Sequence, residues 1–306
     1  LFHMLCREEA FELQLMDRMG YDVTTLGNHE YDLFPDGLAR IINSAKSAGR
    51  LPGIVASNVV FDKESKKDDS LEEVFKKGLV KPYLVMEKDG LKIGYFGLMG
   101  KNAAEVAPFS SPVSFSDTLT TAREMVKTLR EKEKVDIVIC LSHSGLWVDE
   151  SKSEDEILAK EVDGIDIIIS GHTHTKLNAP LQVHDTIIVQ AWAYGRQVGV
   201  MDISFDNGKV TLDGYKLREI NDTIKGDPVV TSYVDAYITR INRQVLRERG
   251  MRFWDTIATT RHNLVIEEDE TNLGNLIADS IRWYVDKYDS DPNDPDSKVD
   301  IGVISN

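Results

Sequence analysis

The 306-residue chain has little cysteine: Cys6 and Cys140 are the only two. That excludes a fold stapled by a disulfide framework. Cys140 lies in the apolar run 135–141 and is expected to be a buried free thiol. No stretch of about 18 apolar residues occurs, so no transmembrane helix is expected. Cations are also scarce, with 36 Lys and Arg against 51 Asp and Glu and a net charge of −15. A surface that coats a nucleic-acid polymer needs clustered Lys and Arg, so that class is excluded. A small anionic substrate would have to be met by metal ions or by a few local cations. Residues 1–5 lack the basic start, apolar core and small-residue cleavage site of an export signal. The chain does not begin with Met and finishes in a strand-like run over 299–304, so both ends are expected to be interruptions of a longer polypeptide.

Against these absences stands an ordinary globular composition, 42% hydrophobic and 28% charged, over a length that suits one large domain plus a smaller piece. The periodicity predicts a helix over 7–19 stopped by Gly20, a short strand over 22–26, a helix over 36–48 and a strand over 53–58. The mixed-charge stretch 62–70 reads as a solvated loop, and 81–98 as a hairpin turning at Asp89-Gly90. Asp117 is an N-cap for a helix to about 132, followed by a doubly buried strand over 135–141. A helix over 154–161 and a strand over 165–170 repeat the unit. From 179 to 217 the pattern becomes successive strands with a turn at Asn207-Gly208. Helix–strand units followed by a meander imply an α/β fold of two packed mixed sheets with helices outside.

Asp227-Pro228 starts a long helix reaching Gly250, expected to link two domains. The division predicted is 1–222, a linker helix over 223–250, and the start of a second α+β domain over 251–306. Within that last part, 254–260 reads as a strand and 272–287 as an amphipathic helix.

Four of the seven histidines, His29, His143, His172 and His174, directly follow strand-like runs, in turns containing Gly or Ser. In layered α/β folds ligands bind beyond the carboxyl ends of strands. Imidazoles and Asn carbonyls collected there are donors for zinc, manganese or iron. Taken singly, each has a plainer reading: His143 as a hydrogen-bonded histidine at a strand end, Asp32 as a turn residue or helix cap. The ordered set of three turns is what carries weight.

Gly-Asn-His-Glu-Tyr-Asp at 27–32, the later His143 and Ser-Gly-His-Thr-His at 170–174 resemble the signature of the calcineurin-like metallophosphoesterases, and specifically their 5′-nucleotidase family. Residues 270–279 are similar to the opening of that family's second domain, and 301–306 to the approach to its substrate loop. The resemblance implies an αββα sandwich and two divalent metal ions. Asn28, His143 and His172 would hold one ion and His174 the other. His29 would be a non-ligand histidine bonding a phosphoryl oxygen, with Asp32 stabilising its charged form. Asn306 is a candidate substrate contact. The resemblance further implies hydrolysis of nucleotide phosphate esters by a metal-activated water, a small-molecule nucleotide as partner, and export to a periplasm, cell wall or cell surface.

The family's Asp-x-His motif and its Gly-Asp motif, which supplies the carboxylate bridging both ions, do not occur before Gly27. The ligand set in this chain is therefore incomplete, and weak metal binding and slow turnover are expected of it. Two further readings stand beside the nucleotidase. One is a 2′,3′-cyclic-nucleotide phosphodiesterase/3′-nucleotidase or nucleotide-sugar hydrolase on the same metals. The other is a non-catalytic binding module, favoured if the first motifs are truly absent. Oligomeric state is not legible.

Overall fold

The computed structural model describes residues 10–265 and 271–289, and beyond them 291, 293, 294, 297, 299 and 302. His3, Cys6, Asn306 and the run 303–306 lie outside the described residues. Residues up to Glu248 pack as one compact unit and those from Arg249 as a second.

In chain order the first unit begins with α1 (Phe11–Met19), β1 (Val23–Thr25), α2 (Phe34–Ser47), β2 (Gly53–Val55), β3 (Val59–Val60) and α3 (Asp69–Lys76). Next come β4 (Val80–Lys81), β5 (Tyr83–Lys88), β6 (Leu91–Met99), α4 (Lys101–Glu105), β7 (Ser114–Phe115), α5 (Thr118–Lys127), β8 (Ile137–His143) and α6 (Glu154–Glu161). It closes with β9 (Ile167–Ser170), β10 (Leu181–Val183), β11 (Thr186–Val189), β12 (Gln197–Asp206), β13 (Lys209–Glu219) and α7 (Pro228–Ile241). The second unit contains α8 (Asn272–Tyr288).

The mixed α/β architecture is present, with its strands in several sheets. A six-stranded sheet runs β10-β11-β9-β8-β6-β5, a three-stranded parallel sheet runs β1-β2-β4, β12 pairs with β13 and β3 with β7. In the large sheet β6, β8, β9 and β11 are parallel neighbours, so their carboxyl ends lie along one edge. Both faces of this sheet are covered, which explains why β8 reads as an unbroken apolar run. Val138, Cys140, Ile168 and Ile188 turn to one face and pack with Ala122, Val126 and Leu129 of the α5 region and Leu158 and Ala159 of α6. Ile137, Ile139, Leu141, Ile167 and Ile187 turn to the other, where they meet Val55 and, from the β12–β13 hairpin, Ile203, Phe205 and Val210. Cys140 is fully buried and free, as expected from its setting.

The three-stranded sheet has its own core, in which Leu38 and Ile42 of α2 and Leu71 and Val74 of α3 bury Ile54 and Val80. The two sheets meet closely at Gly97 in β6: a Cβ there would stand 2.3 Å from the carbonyl oxygen of Val55. No side chain fits that gap, so glycine lets β1 and β2 lie against the large sheet. The end of β1 is thereby brought toward the end of β8.

Local signals account for the element ends. Asp117 accepts from Thr120 N–H at 2.8 Å and opens α5. Asp227 accepts from Val229 and Val230 N–H at 2.9 and 3.0 Å and opens α7. The hairpin turns carry positive φ at Asp89 (53°), Gly90 (81°), Asn207 (49°) and Gly208 (80°). α7 packs on α1 through Phe11, whose ring lies 3.9 Å from that of Tyr237 and 5.1 Å from that of Tyr233.

Two expectations are corrected. The stretch read as a solvated loop over 62–70 gives way at Asp69 to α3, because Leu71 and Val74 supply a buried stripe just beyond it. No strand forms over 254–260: Trp254 and Ile257 are each 78% exposed, so the apolar alternation there covers nothing among the described residues. In the second unit Thr271 caps α8 by accepting from Gly274 N–H at 3.1 Å.

Candidate active site

Three turns converge at the carboxyl edge of the strands. Ser142 of β8 lies in register with Ser170 of β9, so His143, the last residue of β8, sits beside the turn that carries His172 and His174. The chain leaving β1 adds Asn28 from the third turn, and His143 Nε2 lies 2.9 Å from Asn28 Oδ1 although 115 residues separate them. The His143 and His172 rings are 5.2 Å apart.

The 27–32 segment is a tight turn, Asn28–Tyr31, held from both sides. Glu30 accepts the Gly27 N–H at 2.6 Å. Tyr31 is fully buried and meets Phe115 edge to face at 5.6 Å, which anchors the turn in the core. Its middle residue, His29, then points outward. His29 is 80% exposed in its side chain, and its Nδ1 lies 3.0 Å from Asp32 Oδ2. An i,i+3 spacing on such a turn brings the two side chains to one side.

Gly27 has a steric role. A Cβ at this residue would lie 2.6 Å from the nearest atom of the His143 ring. Gly27→Ala is therefore expected to push His143 off Asn28 and to cost about 1–3 kcal/mol of stability. Denaturant unfolding measures the loss, and an alanine variant with wild-type midpoint would contradict this contact.

The 171–174 turn is strained. His172 and His174 both adopt left-handed φ, 67° and 53°, a region that bulky side chains rarely enter. Gln190, 2% exposed, holds it there: its amide donates to Gly171 O at 3.1 Å while its carbonyl accepts from Ser170 at 3.1 Å and Thr173 at 3.3 Å. Thr173 in turn accepts Leu146 N–H at 3.0 Å, tying this turn to the loop after β8.

Two of the imidazoles, His143 and His172, are held neutral. Burial pushes His143 down to about 4, aided by nearby His172, His29 and His174. Burial also lowers His172, with His174 and His29 adding to the effect. Neutral rings keep lone pairs available for a cation. His174 is exposed, and its ring lies 5.3 Å from that of Tyr194.

Asn28, His143, His172 and His174 thus supply donors of the type that hold zinc-like ions. No carboxylate stands with them, and among the described residues no group of three His, Cys, Asp or Glu is arranged to hold a metal. The set suits part of a metal shell and is not a complete one.

The structure brings together the residues singled out in sequence, with Asn306 outside the described residues. Sequence reasoning missed Asn102, whose Oδ1 lies 2.9 Å from His172 Nε2, and Gln190. It also missed Trp147, whose ring stands edge-on to His172 at 6.5 Å. Asn102 follows the end of β6, the same strand-end position that marked the histidines, and that placement was the available signal.

The model of the calcineurin-like phosphoesterase family matches residues 6–176, which include all three turns. The chain belongs to this family. Over 294 residues it is 32% identical to the trifunctional nucleotide phosphoesterase protein YfkN of Bacillus subtilis (strain 168), covering 88% of this chain and 19% of that protein. Over 327 residues it is 30% identical to an apyrase of Tabanus yao, covering 95% of this chain and 51% of that protein. Among solved structures it is similar to a 5′-nucleotidase precursor from Thermus thermophilus, with a TM-score of 0.69 and 27% identity over 90% of this chain and 53% of that one. The chain thus spans about half or less of the length of these relatives. No helix among the described residues is long and apolar enough to cross a membrane.

Proposed function

We propose that the protein hydrolyses phosphate esters of nucleotides, as a phosphoric ester hydrolase of the 5′-nucleotidase type. The observation that carries this reading is the meeting of Asn28, His143 and His172 at one strand edge with the exposed His29–Asp32 pair on the adjoining turn. Names of relatives that include nucleotide phosphoesterase and 5′-nucleotidase support the substrate class.

The groups divide by burial. His143 and His172, half-buried and neutral, together with Asn28 and His174, would hold divalent cations, which in such a site lower the pKa of bound water and neutralise phosphate oxygens. His29 does not share their burial. Asp32 faces its Nδ1 and so fixes the ring with Nε2 outward, free to donate from the charged form to a phosphoryl oxygen as negative charge builds there. Asn102 at His172 Nε2 and Asn28 at His143 Nε2 fix the other two rings, leaving each Nδ1 as the remaining nitrogen. Export outside the cytoplasm belongs to the same reading and rests on the family resemblance.

The test is chromatographic product analysis for the purified chain with added manganese or zinc, on AMP (expected products adenosine and phosphate), a 2′,3′-cyclic nucleotide (a ring-opened nucleoside monophosphate) and a nucleotide sugar (a nucleoside monophosphate and a sugar phosphate). Slow turnover, greatest on AMP, is expected, together with weak metal binding by calorimetry, and the joint replacement of His172 and His174 by Ala is expected to abolish both. Rapid turnover that survives this double replacement would overturn the reading. Turnover confined to the cyclic nucleotide or the nucleotide sugar, read from their organic phosphate products, would instead favour the phosphodiesterase or nucleotide-sugar alternative.

A further inference from the structure

Beside His174 lies a second cluster that the hydrolytic reading leaves unused. β11 is a parallel neighbour of β9, so the chain leaving it at Val189 emerges on the same edge as the histidine turns. The two departing segments then run against each other. Leu177 N–H donates to Gln190 O at 3.2 Å, Trp192 N–H donates to Thr175 O at 3.1 Å, and Lys176 pairs with Ala191 as an antiparallel bridge. This pairing sets Lys176 alongside Trp192.

The backbone here is strained in the same way as at the histidines. Trp192 and Tyr194 adopt φ of 67° and 59°. With His172 and His174 they make four of the nine non-glycine residues with positive φ among those described. Left-handed bulky residues persist only where surrounding structure enforces them, and such strain gathers at ligand clamps. Its result is exposure of aromatic surface, with Trp192 37% and Tyr194 81% exposed.

Two cations rest on these rings. Lys176 Nζ is 5.3 Å from the Trp192 ring centre, and Arg196 Cζ is 5.2 Å from Trp192 and 5.8 Å from Tyr194. Arg196 is held by its own backbone on both sides, its N–H donating to Ala193 O at 3.2 Å and its carbonyl accepting Ile220 N–H at 2.8 Å. Neither cation has a carboxylate partner among the described residues. In a chain of net charge −15, where acids outnumber bases, two bases beside each other and unpaired call for an anion. An indole face orients them without neutralising them.

We propose that Lys176 and Arg196, set against Trp192 and Tyr194 beside His174, form a seat for a second phosphate of the substrate. Resting on the nucleotidase reading above, this assigns a preference for nucleotides carrying a phosphoanhydride over the corresponding monophosphate. The phosphate to be hydrolysed lies at the histidine turns, and the next phosphate of the chain reaches past His174 and Tyr194 to the two cations. Each solvent-exposed cation–phosphate contact contributes modestly, so the two together give about a tenfold preference, shrinking as salt is raised.

Calorimetric binding of ADP and AMP to the full chain tests this, with phosphate release measured in parallel. ADP is expected to bind about tenfold more tightly than AMP, and the K176Q/R196Q double variant to bind both with the affinity the wild type has for AMP. Neither residue touches the core, so an unchanged circular dichroism spectrum and unchanged AMP affinity show that the variant is folded. Equal affinities in the wild type, no binding of either nucleotide, or a preference retained by the double variant would each overturn the seat. A tenfold preference in a chain that releases no phosphate would keep the seat and remove the hydrolytic reading. Release of phosphate without the preference would remove the seat alone.

Discussion

Replacing His29 by Ala is expected to lower kcat for nucleotide hydrolysis by about 10²- to 10³-fold, with KM changed by no more than a fewfold. The ring is 80% exposed, and its one ionic partner among the described residues is Asp32 at 3.0 Å. An exposed pair of this kind contributes about 0–1 kcal/mol to stability, so the variant should fold and unfold like the wild type. That separation makes the experiment informative: a residue retained only as part of a turn would alter stability and leave turnover alone. Asp32→Asn keeps the shape while removing the charge opposite Nδ1, and a smaller loss, about tenfold, is expected. Steady-state kinetics on AMP with thermal unfolding of the same samples checks both. Full activity in His29→Ala would remove the ring from the reaction.

Why His29 was legible and other residues were not follows from how each is specified. The histidine turns were read because they follow strands directly: strand ends are marked by apolar runs, and a strand end fixes where the next few residues lie. The buried run before His143 and the one before Gly171 gave β8 and β9, and their parallel pairing put the two turns side by side. Asp117, Asp227 and the Asn207-Gly208 turn were legible because each acts through its own backbone within three residues.

Residues that act across the fold left no such mark. Asn102 reaches His172 from 70 positions away, and nothing in its neighbours announces a side-chain partner at that distance. Gln190 is a buried polar residue after a strand, and its value lies in three bonds to a turn some twenty residues earlier. α3 was missed because its acidic opening looks solvated while the two residues that bury it, Leu71 and Val74, are few. The failed strand over 254–260 is the reverse case: an alternating pattern states a preference, and a strand also needs a partner to share its ladder.

The same distinction governs Asp155, a buried carboxyl that holds the turn carrying His143. It is fully buried at the start of α6. Its Oδ1 lies 2.5 Å from the Ser142 hydroxyl and its Oδ2 accepts Gly145 N–H at 3.1 Å. Ser142 and Gly145 stand on either side of His143, so this carboxyl fixes the end of β8 that presents it. Burial raises its pKa to about 6, against the opposing pull of Ser142, Ser170 and Gly145. Because the folded value lies above the ordinary 3.8, the fold favours the protonated acid. Its contribution is complete below the unfolded value and is lost as pH rises through about 6.

The loss amounts to about 3 kcal/mol. Asp155→Asn cannot ionise, and its amide can serve the same neighbours: the carbonyl accepts Gly145 N–H, while the NH₂ faces Ser142, whose hydroxyl lies 2.8 Å from Ser144 and can turn its proton there. The unfolding free energy of the wild type minus that of this variant is therefore expected to fall by about 2 kcal/mol between pH 4 and pH 7, the remainder of the loss lying below pH 4. Urea unfolding at a series of pH values, with chelator present, gives the difference directly, since every other titrating group is common to both proteins. A difference that stayed flat with pH would mean that the carboxyl is ionised throughout, its charge held by the hydroxyl and amide donors against the cost of burial.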